Sequence, residues 1–255
     1  MNSNLRSLII WSISVGAMGF ICICLYSSMT EDMAALSESF SNMGAFSDAF
    51  GMSTLGIGTI AGYFATEVGV VHSLGSAMFA AITATTILSK EEDGNTGEFL
   101  YSLPVSRTKV ILAKILSLIG LLVIFTIVAA AFYILGFVVI DTHPQWNLFY
   151  KFILSQFMMN VEIMLICVMF SSFVKKNMPG TGIGIVLFMY VFDLMGRVVP
   201  DLKDLIIIAP FGYCNATEIF AENSIRVSAY IWGIAVMIAA TLFTFVKYTQ
   251  KDMGS

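Results

Sequence analysis

The residue of this chain whose type points most clearly to chemistry is a carboxylate in the middle of a long apolar stretch. Glu162 lies 11 residues after Lys151 and 13 before Lys175. In a helix, Glu162 would be about 16–20 Å from either lysine, which is the middle of a bilayer. A carboxylate at that depth is costly and normally faces a water-filled cavity or a partner. Gln156 and Asn160, one helical turn apart, add a second polar stripe nearby.

Three interpretations of Glu162 are open from the sequence. It lines or gates a substrate path, it makes a structural hydrogen bond between helices, or it is protonated and inert. Met158 and Met159 adjoin the polar stripe, and their thioethers give an adaptable surface that suits a bulky apolar or amphipathic substrate. The alternative is that methionine is simply common in bilayer spans. The candidate substrate path therefore consists of Gln156, Met158, Met159, Asn160 and Glu162.

Few other residue types point to chemistry. The two histidines, His72 and His143, are too few and too far apart for a metal site, and we expect His72 to be a packed polar residue. The four cysteines are expected to pack as small apolar residues rather than to bind metal. Asp193 and Arg197 are four apart, which predicts a salt bridge within one helix. The sequence contains no Gly-Lys dipeptide, so the phosphate-binding GxxxxGK(S/T) loop is absent.

These residues are positioned by a chain that is far more apolar than a soluble domain. Of its 255 residues, 58% are hydrophobic and 12% are charged, whereas soluble domains average about 45–50% and 25%. A helix needs about 20 mostly apolar residues to cross the hydrocarbon. The predicted fold class is an all-α membrane protein, a single transmembrane domain over residues 1–255 with six transmembrane helices. The spans cover about residues 8–26, 61–89, 110–140, 149–174, 178–199 and 227–246.

The distribution of Lys and Arg predicts the orientation of these spans. Nine of the 13 basic residues fall on the side that holds both termini, and four fall on the other side or at its span ends. Both termini are therefore predicted to be cytoplasmic. The external connection at about 200–226 has two apolar stretches, punctuated by Pro200, Pro210 and Gly212. Irregular backbone at membrane depth must be buried in protein or face a cavity, so we expect one or two short re-entrant helices there.

Residues 90–107 form an acidic insert between the second and third spans, and its polarity predicts that it lies outside the bilayer. Asn95 or Thr96 can cap a short helix that Pro104 would end, and Ser106 can cap the third span. A linker helix on the membrane surface is one interpretation. A protein partner fits better, because inner leaflets are usually anionic and interfacial helices usually basic. The apolar face of this predicted helix consists of Phe99, Leu100 and Leu103.

The insert closely resembles the cytoplasmic coupling segment of permease subunits of the type-2 ABC exporter family (type V exporters). The similarity extends over about 17 positions and includes the acidic pair, Gly94, Thr96 and the Pro-Val-Ser-Arg end. Weaker similarities lie at Ser7–Trp11, Ala209–Tyr213 and Tyr248–Asp252. Family members usually begin with an amphipathic helix before the first span, and this chain has only about seven residues there. The resemblance implies a contact with an ATP-binding subunit through Glu91, Glu92, Asp93, Gly97, Glu98, Phe99, Leu100 and Pro104.

By the same resemblance, the chain is a transport subunit and not an enzyme. The resemblance implies that two copies of a separate ATP-binding subunit hold ATP and Mg, and that the chain itself binds no cofactor. It also implies a second permease subunit, identical or paralogous, in the plasma membrane of a bacterium. The net charge of −4 and the lack of a basic cluster exclude nucleic acid as a partner. The acidic balance and the methionines favour amphipathic or cationic peptides as substrates, such as those of phenol-soluble-modulin and lantibiotic-type exporters.

Two other function classes compete with an exporter permease. An ion-coupled secondary carrier would depend on Glu162 alone, and internal repeats of the kind that many carriers contain are not evident. An intramembrane enzyme would need a nucleophile–base pair or a metal cluster. Glu91 and Glu92 are not followed by the arginine and histidines of membrane proteases, and no HExxH motif occurs.

Overall fold

The computed structural model describes residues 2–28, 43–52, 55–88, 106–174, 178–202, 204–221 and 227–250. Within these ranges all regular structure is helical, and no strand occurs. Six helices are long and apolar enough to cross a membrane, which confirms the predicted fold class. The α-helices are α1 Asn2–Ser28, α2 Ala45–Phe50, α3 Ile60–Thr85, α4 Arg107–Val139, α5 Trp146–Phe173, α6 Pro179–Val198, α7 Ala216–Phe220 and α8 Val227–Gln250.

The six candidate spans are α1, α3, α4, α5, α6 and α8. Helices α1 and α4 begin a few residues before the predicted apolar stretch, because a polar first turn extends each of them. Helix α4 begins at Arg107, and Ser106 caps it as predicted, with its Oγ accepting the N–H of Lys109 at 3.4 Å. The second span ends at Thr85, earlier than expected, and a turn continues to Leu88. The predicted coupling helix lies outside the described residues, which resume at Ser106.

Contacts between the spans place both ends of the described chain on one side of the bundle. Helices α1 and α4 run parallel, since Gly16 packs on Phe132 and Ile23 packs on Gly136. Arg107 Nη1 donates to the carbonyl of Thr249 at 3.2 Å, so α8 ends where α4 begins. We call this side, which also holds the end of α3 and the end of α5, the terminal face. The other side is the opposite face.

Helix α3 contains an irregular stretch in its first half. Thr59 caps the helix by accepting the N–H of Gly62 at 3.0 Å, and Phe64–Val68 then form a π-helical turn. The Phe64 ring is fully buried among aromatic rings of α4, α5 and α7, with centroids between 5.4 and 6.0 Å away. Single π-helical turns within α-helices are frequent at functional sites. Here the turn lies against α7, where an added Cβ on Gly69 would be 2.5 Å from that of Ala216.

The connection between α6 and α8 is folded into the bundle on the opposite face. It contains 3₁₀ turns at Pro200–Leu202, Leu205–Ile208 and Pro210–Tyr213, followed by α7. Phe211, Tyr213, Cys214 and Phe220 are buried, so the second half of the connection is part of the core. The predicted short helices are therefore present, and their depth relative to a bilayer stays a prediction. Helix α2, which the sequence did not predict, lies against this region, where Gly51 has a positive φ of 72° and closely contacts Thr217.

Large apolar side chains cover the outside of the bundle. Phe188 is 74% exposed, Val227 70% and Leu154 68%. In water such a surface would be an aggregation hazard. It is the surface expected of helices whose outer sides contact lipid or another membrane subunit.

Candidate functional site

The candidate substrate-path residues lie on α5, and four of the five face the interior of the bundle. Gln156, Met159, Asn160 and Glu162 are each at most 1% exposed, and Met158 is half-buried. The structure therefore brings the predicted polar stripe and Glu162 into one protein-facing surface. Whether substrate passes along this surface stays a prediction.

Glu162 is hydrogen-bonded to the connection between α6 and α8. The hydroxyl of Tyr213 donates to Glu162 Oε2 at 2.6 Å. Helix α8 packs against the same atoms, because an added Cβ on Gly233 would be 2.9 Å from Glu162 Oε2 and 3.2 Å from the Tyr213 ring. The Tyr213 and Tyr230 ring centroids are 4.8 Å apart, and the Tyr230 hydroxyl is 2.7 Å from Ser155 Oγ. We call Ser155, Glu162, Tyr213, Tyr230 and Gly233 the Glu162 cluster.

The electrostatics of the Glu162 cluster keep Tyr213 a hydrogen-bond donor. Burial and then the negative charge of Glu162 raise the pKa of Tyr213, because both disfavour a phenolate at this position. The hydroxyl therefore stays protonated and available to the carboxylate. A bond from a neutral donor to a carboxylate is stronger than a bond between two neutral groups.

Gln156 forms a second link between α5 and the same connection. Its Nε2 donates to Ser73 Oγ on α3 at 2.7 Å and to the carbonyl of Cys214 at 2.9 Å. Cys214 is itself buried, with its Sγ 3.1 Å from Met159 Sδ. Burial raises the pKa of the Cys214 thiol, since the thiolate would lose its hydration. Gln156 thus ties α3, α5 and the connection together.

Two further polar side chains, His72 of α3 and Asn160 of α5, are buried inside the bundle. His72, as expected, is packed inside the bundle, where its Nδ1 is 2.9 Å from the Tyr133 hydroxyl. Within the described part of the chain, neither amide atom of Asn160 has a hydrogen-bond partner, and neither has His72 Nε2. No group of three potential metal ligands occurs among the described residues. These two polar groups are therefore buried in the bundle without further potential ligands grouped around them in the described part of the chain.

A small cavity lies on the opposite face between α2, α3, α6 and the α6–α8 connection. The centre of a water molecule can occupy about 30 Å³ of this cavity. That volume is room for about two waters. Its lining includes Ser73 and Cys214, the two acceptors of Gln156, and also Asp193. The predicted salt bridge is present here, with Arg197 Nε 2.9 Å from Asp193 Oδ2.

On the terminal face, the end of α3 is held by two other spans. Lys114 Nζ of α4 donates to the carbonyl of Ile87 at 2.7 Å, and Ser171 Oγ of α5 accepts the N–H of Leu88 at 3.2 Å. Leu88 is the last described residue before the predicted ATPase contact. The proposed contact residues from Glu91 to Pro104 lie outside the described residues.

Sequence reasoning missed most of the partners in these contacts. Tyr213, Tyr230 and Gly233 are distant in the chain from Glu162, and although Tyr213 ends the family-like stretch Ala209–Tyr213, nothing in the sequence links any of the three to Glu162. Lys114 had a usable signal, because it is a cation about two turns inside α4 and no charged residue follows it in that helix. Ser171 had none, since hydroxyl side chains are frequent in the spans and usually bond to their own helix.

The fold and the buried polar contacts define a helical membrane protein with six candidate spans and an internally folded connection. The model of the ABC-2 family transporter proteins matches residues 2–253, and the chain belongs to that family. It is a membrane permease of an ABC-2 type transporter, a transport subunit without an ATPase domain. Permeases of this family work with ATP-binding subunits, and the partner binds the ATP. A comparison with curated proteins finds no match for the chain.

Proposed function

We propose that this permease moves a bulky amphipathic substrate, with a peptide favoured, out of a bacterial cell across the plasma membrane. The observation that carries the proposal is the family match over residues 2–253, joined to the acidic insert at 90–107. ATP hydrolysis on the partner subunits drives export. The chain forms one transmembrane domain, and a second copy or a paralogue completes the pathway.

The terminal face is cytoplasmic in this proposal, so that both termini are inside. Lys109, Lys114 and Lys247 lie at the span ends on that face, which agrees with the enrichment of Lys and Arg in cytoplasmic segments. The insert then lies where a soluble ATP-binding subunit can reach it. The short helices between α6 and α8 re-enter the bilayer from outside.

The insert binds the ATP-binding subunit by the apolar face of its predicted helix and by its acidic rim, which consists of Glu91, Glu92, Asp93 and Glu98. Two facts support this: the sequence pattern of the insert, and its position directly after an anchored helix end at Leu88. The residues proposed for the contact are Glu91, Glu92, Asp93, Gly97, Glu98, Phe99, Leu100 and Pro104. Two ATP-binding subunits, one for each permease, would close on ATP and draw the two inserts together.

The substrate path follows the interior face of α5. Gln156, Asn160 and Glu162 supply polar groups, and Met158 and Met159 supply a deformable apolar surface. In the described conformation the carboxylate of Glu162 accepts a hydrogen bond from Tyr213. Separation of α5 from the α6–α8 connection would free the Glu162 carboxylate for a cationic group of the substrate. This is the reason for favouring amphipathic peptides with basic residues.

Co-purification tests the partner. We expect a tagged permease to retain its ATP-binding subunit, and expect Glu92→Lys with Glu98→Lys to release it, because the acidic rim would become basic. The matched control is Asp201→Lys, an exposed carboxylate in the connection on the opposite face. If the double reversal binds the ATPase as well as the control does, the insert is not the contact.

Proteoliposomes test the driving force and the path. Transport of a labelled, basic amphipathic helical peptide should require the ATPase subunit and ATP, and Glu162→Gln should lower peptide-stimulated ATP hydrolysis. Asp141→Asn, an exposed carboxylate in the α4–α5 turn, is the control. Transport by the permease alone under a proton gradient would favour an ion-coupled carrier instead. An unchanged peptide response in Glu162→Gln would remove Glu162 from the path.

A further inference from the structure

The described residues on either side of the insert are bonded to spans other than the one that they continue. Just before the insert, Ile87 and Leu88 are bonded to α4 and α5, and at its last residue Arg107 is bonded to the last turn of α8. From these contacts we infer that Lys114 and Ser171 are positioning residues that transmit movement of the insert to α4 and α5. The inference rests on the proposed function and concerns how that function is coupled to ATP.

The Lys114 contact connects α4 with the end of α3. The last carbonyls of a helix have no partner within the helix and carry partial negative charge, so a nearby ammonium is a favourable partner. Lys114 is half-buried about two turns inside α4 and reaches the carbonyl of Ile87 at 2.7 Å. Because the donor is charged, this bond is stronger than one between neutral groups. Any displacement of the chain at Ile87 therefore acts directly on α4.

The Ser171 contact connects α5 with the same turn. Ser171 is 2% exposed, and its Oγ accepts the backbone N–H of Leu88, whose side chain is 1% exposed. A backbone donor cannot swing away without moving the chain, unlike a long surface side chain. The turn at Ile87–Leu88 is thus held on two sides, by α4 and by α5, directly before the insert.

Helix α5 extends from this anchor to the substrate-path residues. Glu162 is nine residues before Ser171, a rise of about 14 Å along the helix. Glu162 bonds to Tyr213, so a movement applied at Ser171 reaches the connection on the opposite face through one continuous helix. The Arg107 contact supplies a parallel route, since α8 ends at that bond and carries Gly233 against Glu162.

The test separates binding of the ATPase from transmission of its movement. The variants are Lys114→Met, which keeps the apolar stem and removes the donors, and Ser171→Ala. The matched controls are Lys109→Met and Ser117→Ala, which replace exposed residues of the same types on α4. All four variants are expected to bind the ATP-binding subunit and to hydrolyse ATP at the unaltered rate.

The movement transmitted from the insert is measured on the opposite face. Spin labels replace the exposed residues His143 and Asp201 in a chain with Cys24→Ser, and the distance between them is measured with and without ATP and vanadate. We expect the fraction of molecules that change distance to fall about tenfold in Lys114→Met and about threefold in Ser171→Ala, because the bond from the charged donor is the stronger. Both controls should respond as the unaltered chain does.

Conservative variants distinguish transmission from general support of the fold. Lys114→Arg and Ser171→Thr keep a donor and an acceptor, and they should restore the nucleotide response. Lys114→Gln, with an N–H donor on a shorter side chain, replaces Lys114→Met if the latter does not fold. Full nucleotide responses in Lys114→Met and Ser171→Ala would overturn the inference, and so would a failure of both conservative variants to restore the response. If the unaltered permease binds no ATP-binding subunit, the proposed function is refuted, and the inference with it.

Discussion

Replacing Tyr213 by Phe removes one hydroxyl and leaves the buried carboxylate of Glu162 without that hydrogen bond. The two residues are 3% and 1% exposed, so water cannot readily replace the donor. A hydrogen bond to a charged group contributes about 1.5–3 kcal/mol, and we expect Tyr213→Phe to lower the free energy of unfolding by that amount. Glu162→Gln should cost less, about 0.5–1 kcal/mol, because the amide oxygen still accepts from Tyr213.

The assay is unfolding in mixed micelles of a mild detergent and SDS, followed by circular dichroism. Tyr150→Phe is the matched control, since Tyr150 is on the same helix as Glu162 and is 61% exposed. It should change stability by less than about 0.5 kcal/mol. The double variant Tyr213→Phe/Glu162→Gln completes a cycle, and it should be less destabilised than the sum of the single variants because both changes act on one interaction: Tyr213→Phe removes the donor, and Glu162→Gln removes the charge of the acceptor. If Tyr213→Phe costs no more than Tyr150→Phe, or if the two single effects add, then the bond does not stabilise the connection and the reasoning fails.

Three further predictions concern neighbouring positions. Gly233→Ala should destabilise the protein by about 1–3 kcal/mol through overpacking against the Glu162 cluster, whereas Gly120→Ala, with no atom within 4 Å of the added Cβ, should be neutral in the same unfolding assay. Asp193→Asn should cost about 3–5 kcal/mol, because it removes the carboxylate that is bonded to the largely buried guanidinium of Arg197; a loss below about 1 kcal/mol in that assay would show that water or another charge replaces Asp193. The raised pKa of Cys214 predicts a protonated thiol that resists maleimide at pH 8 until the protein unfolds, and its contribution to stability should be lost as pH rises above the ordinary value of 9.0. Rapid labelling of Cys214 in the folded protein, located by mass spectrometry, would contradict the burial of this thiol.

Several features were predicted correctly because they depend on residues close together in the sequence. The six spans follow from the length of apolar stretches, and the Ser106 cap follows from one hydroxyl placed three residues before a free N–H. The Asp193–Arg197 bridge follows from a spacing of four, which puts both side chains on one helix face. The packing of His72 followed from its place in an apolar stretch.

The partners of the substrate-path residues could not be predicted in the same way. Glu162 and Tyr213 are separated by 51 positions, and Gln156 and Ser73 by 83. Tyr213 is in an irregular connection with no periodicity to indicate which way its ring points. The sequence therefore left three interpretations of Glu162 open, and the structure adds the bond to Tyr213 that any of them must now include.

By itself the sequence determined that this chain is a helical membrane protein with six spans, and its acidic insert already indicated the family. Those properties depend on local composition, because the thickness of the bilayer sets a minimum length for every span whatever its neighbours are. Only the tertiary structure decided which polar groups are joined inside the bundle and which spans hold the chain at Leu88. Those contacts depend on how helices distant in sequence pack, and the packing results from the shapes of many side chains acting together.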